Sequence, residues 1–363
     1  MSVSVLLAAA TSVIGLVFAV ALLDQYRSRR HTFQLVWAVG MLFYGIAAGC
    51  EAVAAASGWN ELLYRTYYLT GAVWSVAWLG LGTAYLLART RFGYAFAVSL
   101  FLAGLFTFLT DAKYHYPNSG LAPGLYFAGA AALAIVVSVL TYFESHRWPS
   151  VAAVAVAGAT LLSLFLMLGT ALPTPGYELD PTSGQPLFDL LPGTLRLLTP
   201  YMNVTGAFSL LLGAIFSTYV FMPKRRVLPY SLDPGQPGDQ FLFNLLIAPV
   251  AITVNLVASL PGAARALVAG RLHSRVPSTI LIAIGAFIPT VTDSASRFGD
   301  TQLRELGHFL AIVFIFAGFL VSIEVFADVR VPFTGIVLFH GRHERGTDGD
   351  SSGVGGAQAP AAR

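Results

Sequence analysis

Residues 33–87 read FQLVWAVGMLFYGIAAGCEAVAAASGWNELLYRTYYLTGAVWSVAWLGLGTAYLL, two apolar runs that meet at Gly58-Trp59-Asn60. Each run is long enough to cross a bilayer as a helix, which takes ~17–25 mainly apolar residues. The joint is short and polar, so the two helices are expected to lie antiparallel and in contact. A membrane β-barrel would alternate apolar and polar residues; these runs are continuously apolar. One carboxylate, Glu51, lies in the first run, and Arg65 stands near the start of the second. Tyr64, Tyr67, Tyr68, Trp74 and Trp78 accompany it on that run.

The same texture runs through the chain. Of its 363 residues, 56% are hydrophobic and 11% charged, against ~25% charged in an ordinary soluble domain. So little charge cannot cover a water-facing surface. The fold class is therefore an all-α polytopic membrane protein, a helix bundle. Apolar runs are read at about 5–23, 33–56, 63–88, 92–111, 123–143, 150–171, 196–222, 277–292 and 306–327. Ser209, Gly213 and Ser217 share one face of the seventh run, a spacing that lets two helix backbones approach closely in lipid.

Charge placement decides the rest. No Lys or Arg precedes the first run, and Arg27, Arg29 and Arg30 come after it. A cleaved leader has its basic residues before the apolar core, so this run is read as a retained helix with its N-terminus outside. The stretch 241–258 is long enough to cross but holds Asn244, Pro249 and Asn255, and it runs into a segment bearing Arg265, Arg271 and Arg275. If it does not cross, 16 of the 21 basic residues fall inside; if it crosses, the split is 11 to 10. The positive-inside rule favours the first arrangement. The expectation is nine transmembrane helices, with ten as the alternative count, and one re-entrant or interfacial inner segment. This gives a seven-helix bundle over 1–222, an inner basic linker with that segment over 223–275, a two-helix hairpin over 276–330, and a cytoplasmic tail over 331–363, disordered from about 346. The protein is placed in the plasma membrane with a cytoplasmic C-terminus.

Ionisable groups at membrane depth are functional candidates by default. Glu51 and Arg65 belong to the outer side and are expected to come close, either as the floor of a ligand pocket walled by Tyr67, Tyr68 and Trp74 or as an ion pair bracing two helices. A weaker outer cluster holds Asp293, Arg297, Glu305 and His308, where the Glu305/His308 spacing puts both on one helix face; solvated loop charge is the plainer reading. Glu324 suggests an interfacial pair near the end of the last helix, and His340 with His343 a loose two-histidine tract. Asn203-Val204-Thr205 matches a glycosylation sequon but falls inside a span.

Several classes lose support. The two lysines, Lys113 and Lys224, lie in expected loops, which leaves none for a Schiff base at membrane depth. No GxxxxGK[ST] or HExxH signature occurs. One cysteine, Cys50, allows no internal disulfide. No catalytic residue, metal site or cofactor is expected, and the partners are the lipid bilayer, other membrane proteins or a small ligand, with no nucleic acid. The first seven helices resemble receptor-like seven-helix sensor modules in topology, and topology alone is analogy. Three functions remain: a non-enzymatic sensor, scaffold or accessory membrane subunit; a transporter or permease for a small or amphipathic solute; and a membrane-embedded enzyme acting on lipid.

Overall fold

In hydrocarbon a backbone N–H or C=O has no water to bond, so apolar runs of this length close their hydrogen bonds as helices. The computed structural model describes residues 3–143, 146–181, 184–233, 235, 238–269, 272–273, 275–296, 301–322, 328–330 and 337–340. Over these the chain is an all-α bundle. Its helices are α1 (Val3–Arg29), α2 (Thr32–Ser57), α3 (Glu61–Tyr67), a π-helical stretch (Tyr68–Trp74), α4 (Ser75–Leu86), α5 (Phe92–Tyr114), α6 (Ala122–Tyr142), α7 (Trp148–Gly169), α8 (Gly193–Arg196), α9 (Leu198–Phe221), α10 (Gly238–Val268), α11 (Arg275–Ser296) and α12 (Thr301–Val321). The α3, π and α4 pieces form one rod, Glu61–Leu86, and α8 runs on into α9 as Gly193–Phe221. Between α7 and α8, β1 (Glu178–Leu179) pairs antiparallel with β2 (Pro186–Leu187). After α12, β3 (Asp328–Arg330) pairs antiparallel with β4 (Val337–His340). The tail expected to be disordered beyond about 346, and the positions of Glu324 and His343, lie outside the described residues.

Contacts between helix termini sort the bundle into two ends. At one end Arg91 Nη1 donates to the Thr141 carbonyl at 2.7 Å, and Trp148 Nε1 to the Ala88 carbonyl at 3.2 Å. There too the hydroxyls of Thr218 and Thr279 lie 2.8 Å apart, joining the end of α9 to the start of α11. This end carries Arg89, Arg91, Arg147, Lys224, Arg225 and Arg226 and is the basic end. The opposite, hairpin end holds the Gly58–Asn60 turn and the β1–β2 connection. Trp148, Tyr64, Tyr68, Phe92 and Phe96 centre one core cluster; Phe18, Trp37, Met41 and Phe319 centre a second, which docks α12 against α1 and α2.

Small residues set the closest crossing. A β-carbon built on Gly80 would stand 2.5 Å from the Gly206 carbonyl oxygen, and one on Gly206 would stand 2.3 Å from that of Val76. A β-carbon on Gly213 would stand 2.2 Å from Thr83 Cγ2, and Ser209 and Ser217 are buried on the same helix. The small-residue face expected on this helix therefore seats α4 against α9.

Nine helices among the described residues are long and apolar enough to cross a membrane, and Gln240–Val268 of α10 is one of them. Its contacts give it a different course. Phe241, at its start, packs on Tyr94 in the first turn of α5 and on Tyr142 at the end of α6, with ring centroids 6.0 and 5.3 Å apart. Ala263, toward its end, shares a cluster with Tyr219, Met222 and Val276. All of these belong to the basic end. Phe241 and Ala263 stand ~33 Å apart along a helix rising 1.5 Å per residue, enough to separate them by a membrane if α10 crossed. Instead α10 lies across the basic ends of α5, α6, α9 and α11, in one uninterrupted piece despite Pro249 and Pro261. Its inward face is small or polar (Ala248, Ala251, Asn255, Ser259), and its outward face is large and apolar (Leu242, Phe243, Leu246, Val250, Val257). Helix α11 runs beside α12 over its length: β-carbons on Gly285 and Gly318 would meet Ile315 and Ile282. By length and apolarity α10 is one of the nine candidate spans, while the apolar part of α11, Arg275–Pro289, is shorter; by its contacts α10 is the segment whose two ends both lie at the basic end.

Two outcomes are expected from this packing. Gly206→Ala should lower stability by about 1–3 kcal/mol, the usual cost of overpacking, measured by thermal unfolding in detergent, while Gly158→Ala, whose added methyl meets no atom within 4 Å, should leave unfolding unchanged. In a Cys50→Ala background, single cysteines at Gln240 and Ala269 should react with an impermeant maleimide from the same side of the membrane; reaction from opposite sides would show that α10 crosses.

Candidate functional site

Glu51 faces α12 rather than α3. Its Oε1 accepts a charged hydrogen bond from Arg304 Nη2. The same Nη2 donates to the Tyr67 hydroxyl at 2.5 Å, and Arg304 Nη1 donates to Gln185 Oε1 at 2.7 Å. Glu51 comes from the last part of α2, Tyr67 from the end of α3, Gln185 from the β1–β2 connection and Arg304 from the first turn of α12. One guanidinium therefore ties four segments together at the hairpin end. The side chains of Arg304 and Glu51 are only 15% and 14% exposed, so water screens the pair weakly. A planar fork with five donors suits this work; a lysine ammonium would reach fewer of the partners at once.

The expected meeting of Glu51 with Arg65 does not occur. Arg65 turns to α7: its Nε donates to Glu61 Oε1 at 2.8 Å, Nη2 to the Thr170 carbonyl at 2.7 Å, and Nη1 to the Met167 carbonyl. The last carbonyls of a helix lack intrahelical donors and carry partial negative charge, so a cation settles there. Glu61 and Arg65 stand one turn apart on α3, with their charged atoms 2.7 Å from each other, and Asn60 caps that helix by accepting from the Leu63 N–H at 3.0 Å. Arg65 and Glu51 thus serve different neighbours of one hairpin.

The remaining pocket candidates also divide. Tyr67 joins the Arg304 group. Tyr68 is buried, with its hydroxyl 2.7 Å from Thr199 Oγ1. Trp74 Nε1 donates to Ser163 Oγ at 2.8 Å, and Trp78 Nε1 to Thr160 Oγ1 at 3.1 Å, both on α7. Of Glu51, Arg65, Tyr67, Tyr68 and Trp74, the structure brings Glu51 and Tyr67 to one centre, and does so through Arg304.

Of the outer cluster, Arg297 lies outside the described residues, and Asp293 is described only as part of α11. Glu305 and His308 occupy the first two turns of α12; Glu305 Oε2 is buried, and the His308 carbonyl accepts from the Tyr44 hydroxyl at 2.9 Å. Among the described residues no group of three or more His, Cys, Asp or Glu could hold a metal ion.

Hollows open at the basic end among the described residues. One, of about 380 Å³, is lined by Ala88, Arg89, Thr90, Arg91, Thr141, His146 and Trp148. Another, of about 140 Å³, is lined by Tyr219, Lys224, Arg226, Leu228 and Tyr230. Burial pushes the Tyr230 hydroxyl up to about 12; neighbouring Tyr219 adds to the shift and Arg226 opposes it.

Sequence reasoning missed Arg304 and Gln185. Arg304 carried a signal, being a basic residue in the first turn of a span on the same side as Arg65, but nothing local distinguished the two as partners for Glu51.

A double-mutant cycle tests the clamp. Glu51→Ala and Arg304→Ala should each cost about 2–4 kcal/mol, somewhat under the loss expected for a wholly buried pair, and their effects should be non-additive by at least ~1 kcal/mol. Glu51→Ala with Arg65→Ala should be additive; thermal unfolding in detergent reads both cycles. No protein-family model, curated protein or solved structure matches the chain.

Proposed function

We propose that the chain is a non-enzymatic multi-pass protein of the cell membrane, a scaffold or sensor, with its basic end and C-terminus in the cytoplasm and its N-terminus outside. The observation that carries this reading is what several polar side chains of the spans do: they hold helix to helix. Arg304 joins α12 to Glu51, Tyr67 and Gln185. Two indoles bind α4 and the π stretch to α7, and Asn203 Nδ2 donates to the Ala72 carbonyl at 2.8 Å. One cavity inside the bundle, between Ala77, Phe96, Leu100, Tyr201 and Thr205, measures about 10 Å³. That is about one water, against ~300–1,000 Å³ for a small-ligand site.

Orientation rests on the basic residues, 16 of 21 on one side when α10 does not cross. A helix with one large apolar face, lying across the ends of other helices, suits the boundary between headgroups and acyl chains. Its outward Leu and Phe would meet lipid tails there.

The carrier reading keeps one favourable observation, irregular geometry within spans: the π stretch Tyr68–Trp74 and Pro289 inside α11. Electron–electron spin distance measurements separate the two. Label pairs at Ser57 and Leu121 at the hairpin end, and at His31 and Phe143 at the basic end, should each give one narrow distance distribution in lipid nanodiscs. Two exchanging populations that open one end as the other closes would replace the scaffold with an alternating-access carrier.

A further inference from the structure

The geometry points to a binding site for the phosphate of an anionic phospholipid headgroup in the hollow between the α4–α5 turn, the end of α6 and the start of α7. The hollow measures about 380 Å³, in the range of small-ligand sites. Three cationic or protonatable side chains line it from two separate segments: Arg89 and Arg91 from the turn before α5, and His146 from the approach to α7. Its walls are fixed. Arg91 Nη1 donates to the Thr141 carbonyl, which pins the turn to the end of α6. Trp148 is 1% exposed and donates to the Ala88 carbonyl, which pins the turn to α7. Thr90 Oγ1 donates to the Leu87 carbonyl and accepts from the Phe92 N–H, which closes the turn itself.

Two long helices also begin at this hollow. Helix α5 starts behind Arg91, where the Thr90 hydroxyl takes the Phe92 N–H, and α7 behind Arg147, with no side-chain hydrogen bond from its N-cap residue. Each N-terminus adds partial positive charge to that of the arginines, a setting that favours an anion.

The place in the fold selects the source of the phosphate. The end of α6, which forms one wall, also seats α10: Tyr142 packs on Phe241. The lipid assignment rests on the proposed placement of α10 in the headgroup layer; the hollow then opens at the depth where lipid phosphates stand. Phe143, 72% exposed beside Thr141 and Tyr142, offers apolar surface for the start of an acyl chain. A basic hollow between helix ends at the membrane surface matches an anionic lipid better than a free ion.

The test uses the full chain in phosphatidylcholine nanodiscs, titrated with short-chain phosphatidylglycerol and read by native mass spectrometry. One phosphatidylglycerol should bind saturably, at least tenfold tighter than short-chain phosphatidylcholine. Arg89→Ala should weaken it about tenfold, the loss of one charge-assisted contact, with Arg89→Lys restoring most of the affinity and His146→Ala giving a smaller loss. Arg89 lies outside the core clusters, so these variants should keep the parent's unfolding temperature. Arg29→Ala removes the same charge at the end of α1 and should leave binding unchanged. Equal weakening by Arg29→Ala would mean diffuse surface charge and overturn the site. Inorganic phosphate competing at the same concentration as the lipid would assign the hollow to a soluble phosphate and overturn the lipid. If the lipid test fails while Gln240 and Ala269 still label from one side, the site alone is lost and the placement of α10 stands.

Discussion

Every peptide group inside the bilayer has to find its hydrogen bond within the protein, and this constraint is tightest at the π stretch Tyr68–Trp74. A wide turn adds a residue and breaks the regular ladder, which leaves carbonyls to be matched from elsewhere. Asn203 supplies one such match at the Ala72 carbonyl. Thr70 and Ser75 donate back to the carbonyls of Thr66 and Gly71 at 2.7 and 3.1 Å. An added residue also rotates the rest of the rod by ~100° about the helix axis. Beyond the π stretch, Gly80 faces Gly206 and Gly82 faces the Trp37 ring, where a β-carbon would stand 2.2 Å from Cδ1. The close seating of α4 against both α9 and α2 therefore depends on that extra residue and on the asparagine that makes it tolerable.

The Arg304 group answers a different need. Apolar helices in lipid gain little by choosing one apolar neighbour over another, because the tails are as apolar as the side chains. A nearly buried ion pair contributes modestly to net stability, yet leaving one partner unpaired is costly. Glu51 and Arg304 are 253 positions apart in the chain, and their contact penalises any arrangement that places α12 away from α2 and α3. The β1–β2 connection is brought in through Gln185, so the loop over the hairpin end is anchored by the same charge.

The spans were legible because hydropathy and length report directly on the solvent a helix meets. The course of α10 was legible from charge, since placing Arg265, Arg271 and Arg275 decides between two topologies with very different distributions of basic residues. The small-residue face Ser209, Gly213 and Ser217 was legible from its spacing. The partner of Glu51 was not. Arg65, Arg196, Arg297 and Arg304 were all expected on the same side, and choosing among them requires knowing that α12 packs beside α2, which no local pattern encodes. The Glu61–Arg65 pair had a readable signal in its i, i+4 spacing; that pairing withdraws Arg65 from Glu51. Asn203 reads only as a sequon within a span, because the need for its amide arises from the irregular turn on another helix.

The charged side chains of the two ends of the bundle sit in different settings. At the hairpin end each described arginine of the helix starts meets a carboxylate: Arg65 with Glu61, Arg196 with Asp189 at 2.8 Å, and Arg304 with Glu51. Arg196 lies over the Tyr116 ring as well, 4.2 Å from its centroid. Those three arginines are neutralised from within the protein. At the basic end cationic side chains also line hollows, Arg89, Arg91 and His146 in one and Lys224 and Arg226 in another. Concentrated positive charge beside an exposed apolar helix face is stable where anions and hydrocarbon are both within reach. On the proposed placement of this end, a lipid headgroup layer would supply the two together.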